Sequence, residues 1–304
     1  MSEILYDNEK KIRRRQMVVK ITVYALLVGF AIFIIIPFYW MILTSLKTDG
    51  AGPGGVFRIP PDLWLAPSQW ELSNYVLIAT GEVPYLRYMF NTVVVALIST
   101  AGTIITTILM AFAFARLNFR GRDLFFLILI MTMMIPGEMF VITNFLTVSS
   151  LGWVGREQTY WDAIAAMTLP FMTSIFFIFF LRQTFKTIPN ELYYAAKVDG
   201  TKDFWYLWKV MVPIAKPTII TITILNAMGT WNAFIWPQLI TQFNDSYRLV
   251  SNGLRGAAYV DETGRVMYHQ QMAAAFAVTL PLLIVFILLK KYIMRGVSRS
   301  GIKG

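Results

Sequence analysis

Side chains able to perform covalent or metal chemistry are scarce in this sequence. Its 304 residues include no cysteine and a single histidine, His269, which excludes thiol chemistry and any site that needs two imidazoles. No G-x-x-x-x-G-K-[ST] pattern occurs, so we expect no phosphate-cradling loop and no ATP site in this chain. We therefore predict no catalytic residue, no metal ligands and no bound cofactor.

The informative residues are polar side chains inside apolar segments. Glu138 is the one ionisable group well inside such a segment, and Asn226, Trp231 and Asn232 lie in another. Exposing polar groups to lipid is costly, so they favour a substrate pathway. Carboxylate and amide groups hydrogen-bond hydroxyls and indole rings pack on pyranose faces, which suits a sugar; the alternative is that they only join helices. Further candidates are Trp236, which also fits an interfacial aromatic belt, Thr173 and Ser174.

The elements that must position these residues are long apolar segments. Hydrophobic residues make up 57% of the chain and charged residues 14%, which excludes a soluble globular domain. At about 1.5 Å per residue, each segment can cross a hydrocarbon core of about 30 Å. We predict an all-α membrane protein with six transmembrane helices at residues 17–43, 91–114, 124–145, 163–181, 218–240 and 272–293.

Local composition adds three expectations to this plan. Pro136 and Gly137 should loosen the third helix. The Gly-, Ala- and Thr-rich second helix should pack closely against a neighbour. Residues 48–88 contain too many Pro and Gly residues for a crossing, so we expect them to cap one membrane face.

The distribution of positive charge predicts the orientation of the helices. With the N-terminus inside, 20 of the 27 Lys and Arg residues fall at the inner ends and connections, and cytoplasmic segments carry such an excess. We therefore predict that residues 1–16, 188–217 and 294–304 are cytoplasmic. We therefore expect the net charge of +10 to interact with anionic lipid headgroups, and we expect no nucleic-acid partner.

The inner connection Ile188–Pro217, here called the coupling segment, is polar yet patterned for structure. Pro189 and Asn190 are helix-start signals, with Glu191 suited to the positive end of the helix dipole. Gly200 should end this short helix by adopting the left-handed conformation. The aromatic residues that follow are expected to anchor the chain at the membrane interface, or else to pack on a partner: Phe204, Trp205, Tyr206 and Trp208.

The coupling segment resembles the EAA-type loop of ABC importer permeases. Its Tyr194-Ala-Ala-Lys-Val-Asp-Gly200 is followed after nine residues by Val210-Met-Val-Pro213. Further strings resemble the maltose-transporter-like carbohydrate permeases, from about Phe38 to the last residue. They are Asn74-Tyr75, Tyr88-Met-Phe-Asn91, Ala111-Phe-Ala-Phe-Ala-Arg-Leu117 with Gly121-Arg122, Met134-Ile-Pro136, Trp231-Asn232, Trp236-Pro237 and Arg295–Gly304.

The resemblance implies a type I ABC importer permease that moves a sugar or oligosaccharide by alternating access in a bacterial or archaeal cytoplasmic membrane. It implies a second permease chain, in this family usually a different one, and two ATPase subunits that bind ATP and Mg. It also implies an extracytoplasmic solute-binding protein that docks on outer loops 48–88 and 241–270. The coupling helix would enter a cleft on the ATPase. The residues that carry over to it are Glu191, Ala195, Ala196, Asp199 and Gly200.

One position departs from the family pattern. Tyr194 stands where the motif has glutamate, and Glu191 lies three residues earlier. Three residues are close to one helical turn, so Glu191 is expected on nearly the same face and is the candidate for the acidic contact.

Alternative functions remain from the residues alone. One is an ABC permease for a non-sugar solute. Another is an ion-coupled secondary transporter, which would favour several intramembrane charges and an internal repeat. A membrane-embedded enzyme would need paired catalytic groups that the sequence does not offer.

Overall fold

The computed structural model describes residues 2–80, 84–254, 259–260 and 264–298. In these ranges the chain is predominantly helical, and extended pairing is limited to two isolated bridges, Thr48 with Gly55 and Val260 with Val266. The all-α class predicted from the sequence is therefore confirmed. The α-helices are α1 (Ser2–Ser45), α2 (Ser73–Thr80), α3 (Tyr85–Arg116), α4 (Arg122–Thr132), α5 (Val141–Ser150), α6 (Tyr160–Thr168), α7 (Ile175–Lys186), α8 (Asn190–Val198), α9 (Asp203–Tyr206), α10 (Val212–Ile214), α11 (Lys216–Asn232), α12 (Ile235–Ile240), α13 (Val250–Gly253) and α14 (Tyr268–Ser298).

Three helical stretches of the described chain are long and apolar enough to cross a membrane unaided: Ile12–Ser45, Tyr85–Arg116 and Tyr268–Leu288. Three other candidates are pairs of helices with a sharp bend between them. The total reaches six when each bent pair is counted as one crossing. The helical membrane class is therefore confirmed. The number of six crossings stays a prediction.

The predicted third span, 124–145, is broken. Arg122–Thr132 and Gly137–Ser150 meet at 88°, with Pro136 in the break. Proline lacks an N–H and disfavours the helical conformation of the residue before it, so the helix ends ahead of it. The expectation that Pro136 and Gly137 loosen this segment is confirmed.

The next two predicted spans are also divided. Within 163–181, the stretches Tyr160–Phe171 and Ile175–Lys186 meet at 52°. Within 218–240, α11 ends at Asn232 and Ala233 is extended before α12 begins. A continuous apolar run in the sequence predicts a segment that is shielded from water. It does not predict where the backbone within that segment leaves the helical conformation.

The helix ends extend beyond the predicted limits. Residues 2–16 of the predicted polar stretch and the span 17–43 belong to one helix, α1. Helix α3 begins at Tyr85, earlier than the predicted residue 91. Helix α14 continues to Ser298, into the predicted tail 294–304, of which residues 299–304 lie outside the described chain.

The chain divides into two compact units, residues 1–78 with 259–277 and residues 79–258 with 278–304. In the second unit α3 packs along α7 and α11. A Cβ at Gly102 would lie 2.5 Å from the Met172 sulfur, and the Thr103 hydroxyl donates to the Phe171 carbonyl oxygen at 3.4 Å. The predicted close-packing face of the second helix is thus confirmed, because small side chains let the neighbouring backbone approach.

The first unit is organised around the end of α1. The buried Asn74 side chain donates to the carbonyl oxygens of Ser45 and Lys47 at 2.9 and 3.0 Å. Tyr75 Oη and Ser45 Oγ lie 2.6 Å apart. These bonds fix the turn that follows α1, which would otherwise leave the last carbonyl groups of the helix unpaired.

Candidate functional site

The coupling segment forms the short helix that the sequence predicts. Helix α8 follows Pro189, and Gly200 has a φ of +74°. The Gly200 N–H donates to the Lys197 carbonyl oxygen at 3.0 Å, and the Thr201 N–H donates to that of Ala196 at 2.8 Å. This pair of bonds is a Schellman motif, which needs a left-handed residue after the helix. The predicted role of Gly200 in ending the helix is confirmed.

One face of α8 is open to solvent. Glu191, Tyr194, Ala195 and Val198 are exposed, Val198 at 87%. Their spacing of i, i+3, i+4 and i+7 places them on a single face of a helix. Glu191 and Tyr194 therefore share one exposed face, as the sequence predicts. The small side chain of Ala195 protrudes little from the middle of this face.

The opposite face of α8 packs on the protein core. Tyr193 and Ala196 contact a buried cluster, and the Tyr193 ring lies 5.1 Å from that of Tyr206. Tyr206 is 1% exposed, so the expectation that it anchors the chain at the membrane interface is wrong. Its ring packs against α8. A helix this short is only marginally stable by itself, so packing on an apolar surface stabilises it.

Helix α8 is also tied to the chain that follows it. Tyr193 Oη donates to Asp203 Oδ1 at 2.7 Å, and Lys197 Nζ lies 2.8 Å from the same oxygen. The hydrogen bond to Asp203 raises the pKa of the Lys197 ammonium. One carboxylate at the start of α9 therefore holds α8 to the chain that follows it.

Arg116, the last residue of α3, holds the start of α8. Its guanidinium donates to the Phe185 carbonyl oxygen at 2.8 Å, to the Ile188 carbonyl oxygen and to Asn190 Oδ1. A cation at this point adds hydrogen bonds near the C-terminal end of α7, where the helix dipole favours positive charge. Sequence reasoning missed this role. The signal that could have indicated this role is an arginine in the final turn of a long apolar helix.

Arg182 joins the same helices from the other side. It is only 5% exposed, and its Nε donates to the Phe114 carbonyl oxygen at 3.1 Å. Its guanidinium carbon lies 3.7 Å from the centre of the Phe126 ring. Arg182 is one of the 20 inner cations of the charge count, and the structure shows that its side chain is buried between helices.

The residues predicted to line a substrate pathway are not brought together as one set. Asn226 lines a cavity of about 380 Å³ in the second unit, together with Trp236. Its Nδ2 donates to the Thr100 hydroxyl at 3.2 Å. Trp236 is buried and its indole N–H donates to the Ala166 carbonyl oxygen at 3.0 Å. An aromatic side chain and an amide thus meet at a pocket of ligand size.

The other predicted pathway residues lie outside that cavity. Glu138 is exposed in the 3-10 turn between α4 and α5. Asn232 is exposed and donates to the Met228 carbonyl oxygen at 2.9 Å. Trp231 is buried, and its indole N–H finds no partner among the described residues. Ser174 serves as the N-cap of α7, and Thr173 precedes it.

Within the described ranges, no three His, Cys, Asp or Glu side chains come together in a way that could hold a metal ion. The features described above are an exposed face of α8 and a cavity in the second unit.

Comparison with known proteins gives consistent results. Residues 103–299 match the family described as binding-protein-dependent transport system inner membrane component. The arabinooligosaccharides transport system permease protein AraQ of Bacillus subtilis is 26% identical over 88% of this chain and 90% of its own length. The sn-glycerol-3-phosphate transport system permease protein UgpE of Yersinia enterocolitica is 27% identical over 90% and 94%.

A solved structure shares the fold. It is a chain of a bacterial ABC transporter involved in the import of the acidic polysaccharide alginate, with a TM-score of 0.75. The match covers 92% of this chain and 98% of that chain, at 23% sequence identity. At this identity the likeness establishes the arrangement of the helices.

Proposed function

Because the chain belongs to the family of binding-protein-dependent transport system inner membrane components, we propose that it is the transmembrane permease subunit of an ATP-driven importer. The solute is a sugar or oligosaccharide. The permease itself is not an enzyme: ATP and Mg are bound by a separate ATPase, and this chain carries no cofactor.

The observation that carries this proposal is the open face of α8 on a helix that is firmly held. Glu191, Tyr194, Ala195 and Val198 offer a shallow surface to a partner. Arg116 connects the start of the same helix to α3 and α7. A force applied to this surface therefore reaches two helices of the membrane bundle, which is the requirement for coupling to a separate subunit.

The assembly that this arrangement serves has a second permease chain, two ATPase subunits and an extracytoplasmic solute-binding protein. Both termini and the coupling segment face the cytoplasm of a bacterial or archaeal cell, and the charge distribution supports this orientation. The binding protein docks on the outer loops. Closure of the ATPases then moves α8, and the bundle reorients to release the solute inward.

A sugar is favoured as the solute by two observations. The cavity that contains Asn226 and Trp236 combines an amide with an indole ring, groups suited to hydroxyls and pyranose faces. Related permeases are named for arabinooligosaccharides and for sn-glycerol-3-phosphate. The second of these names supports a phosphorylated, non-sugar solute as the alternative.

Transport by the complete complex in vesicles tests the proposal. We expect uptake of a labelled oligosaccharide to require ATP and the binding protein, and to persist after ionophores collapse all ion gradients. Uptake that stops when the gradients collapse would identify an ion-coupled transporter instead. Uptake of glycerol phosphate in preference to saccharides would support the alternative solute.

A further inference from the structure

The turn that follows α1 contains a buried lysine. Lys47 is 1% exposed, and its Nζ lies 5.0 Å from the centre of the Trp40 ring. Within the described chain, no carboxylate oxygen comes within the 4.0 Å of an ion pair with this ammonium. Asp62 acts on it only through space, since that carboxylate is already paired with Arg58 at 2.7 Å.

Among the described residues, this ammonium has neither the ion pair nor the hydrogen bond that usually stabilises a buried charge. Moving an ion out of water is unfavourable unless a counter-charge and hydrogen bonds compensate. Burial accordingly lowers the pKa of the Lys47 side chain. The cation–π contact with Trp40 offsets only part of this cost. An anion at hydrogen-bond distance would remove the remaining cost.

Lys47 lines a cavity that can admit such an anion. The cavity has a volume of about 250 Å³ and is lined by Trp40, Thr44, Lys47, Val56, Phe57, Tyr268 and Met272. Thr44 is 5% exposed, and its hydroxyl has no hydrogen-bond partner among the described residues. The Phe57 and Tyr268 rings meet edge to face at 6.2 Å. Two polar groups for which the described residues supply no hydrogen bond therefore share one cavity with aromatic walls.

These groups define the chemistry of a ligand. An oxyanion can accept hydrogen bonds from the ammonium and the hydroxyl, and a ring or polyol attached to it can pack on the aromatic side chains. The volume lies slightly below the range of about 300–1,000 Å³ typical of small-molecule pockets. It therefore suits one sugar-sized unit and not an extended chain.

We propose that this cavity binds the carboxylate or phosphate group of a sugar-sized molecule, with Lys47 as counter-ion and Thr44 as hydrogen-bond donor. The anion comes either from a soluble solute or from a lipid headgroup. Binding here requires no ATP and no partner chain, so this proposal stands or fails separately from the transport function.

Calorimetric titration of the full chain in phosphatidylcholine nanodiscs tests the soluble source. We expect D-glucuronate to bind at least tenfold more tightly than D-glucose, because the two sugars differ only in the carboxylate. Lys47→Met should abolish this preference, and Thr44→Val, which removes only the hydroxyl, should weaken glucuronate binding about threefold to tenfold. Arg87→Gln, which removes an exposed cation elsewhere in the chain, should leave it unchanged.

A melting curve separates lost binding from lost folding. Lys47→Met should melt at the same temperature as the parent chain or higher, since it removes a buried charge. If it fails to fold, the Thr44→Val titration still decides between the outcomes.

Nanodiscs that contain phosphatidylglycerol test the lipid source. If the site holds a lipid phosphate, native mass spectrometry will show more phosphatidylglycerol retained by the parent chain than by Lys47→Met, and the lipid will compete with glucuronate. The proposal is overturned if neither glucuronate binding nor lipid retention depends on Lys47.

Discussion

Arg116 and Arg182 each donate hydrogen bonds to the helix that carries the other. Arg116 at the end of α3 donates to the Phe185 carbonyl oxygen of α7 at 2.8 Å, and Arg182 of α7 donates to the Phe114 carbonyl oxygen of α3 at 3.1 Å. The two helices are thus joined twice near the point where α8 begins. Since each bond involves a charged donor, its loss costs about 1.5–3 kcal/mol.

Replacing Arg116 by lysine should impair coupling more than folding. Lysine keeps the charge but cannot span the three acceptors that a planar guanidinium reaches. We expect the amount of solute moved per ATP hydrolysed to fall about tenfold, measured with the complete complex in vesicles. Arg120→Lys is the matched control, because Arg120 is exposed and should lose less than twofold. Equal effects of the two changes would show that Arg116 has no special role.

Replacing Gly200 by valine should uncouple transport while the chain still inserts in the membrane. The φ of +74° disfavours any residue with a Cβ, although nothing lies within 4 Å of the added atom. The substitution therefore costs about 1–2 kcal/mol of backbone conformational energy. To relieve this strain the backbone must shift at the end of α8.

Transport and membrane content measure the two parts of this prediction. Gly200→Asn should retain more transport than the valine variant, since asparagine tolerates the left-handed region. Gly52→Ala, at a glycine with open space around it and no positive φ, should have no effect. Normal transport by the valine variant would contradict the assignment of Gly200.

Single cysteines should map the docking face of α8. The chain has no cysteine of its own, so each introduced thiol reports one position. Tyr194→Cys and Val198→Cys should cross-link to the ATPase subunit, because both side chains point outward. Ala196→Cys is the control on the packed face and should react at least tenfold more slowly. Similar cross-linking at all three positions would argue against this face.

Of the four residues that the sequence predicts for the substrate pathway, Glu138, Asn226, Trp231 and Asn232, only Asn226 lines the cavity. Asn226→Leu should raise the KM for transport about tenfold, because it removes the amide from the cavity. If the pathway includes the whole predicted set, Glu138→Gln and Asn232→Leu will raise the KM by a similar factor; if it passes only through the cavity, they will leave the KM unchanged. Transport kinetics of the three variants at equal membrane content decide between these possibilities.

Local signals in the sequence were sufficient for the coupling segment. Helix start and stop residues act over a few positions, so Pro189 and Gly200 fixed the limits of α8 without tertiary information. Helical periodicity also predicted that Glu191 and Tyr194, three residues apart, lie on nearly the same face of this helix. The contacts of Arg116 with residues 185–190 join segments distant in the chain, and no local pattern encodes them.

The amino-acid sequence by itself determined the membrane class, the limits of α8, the break at Pro136 and the absence of an ATP motif. Each depends on composition or on neighbours within a few residues. Only the tertiary structure decided that Asn226 faces a cavity while Glu138 does not, that Tyr206 is buried, and that Lys47 forms no ion pair with any residue that the structure describes. These depend on which segments pack together, and side-chain burial is a property of that packing and not of the apolar pattern alone.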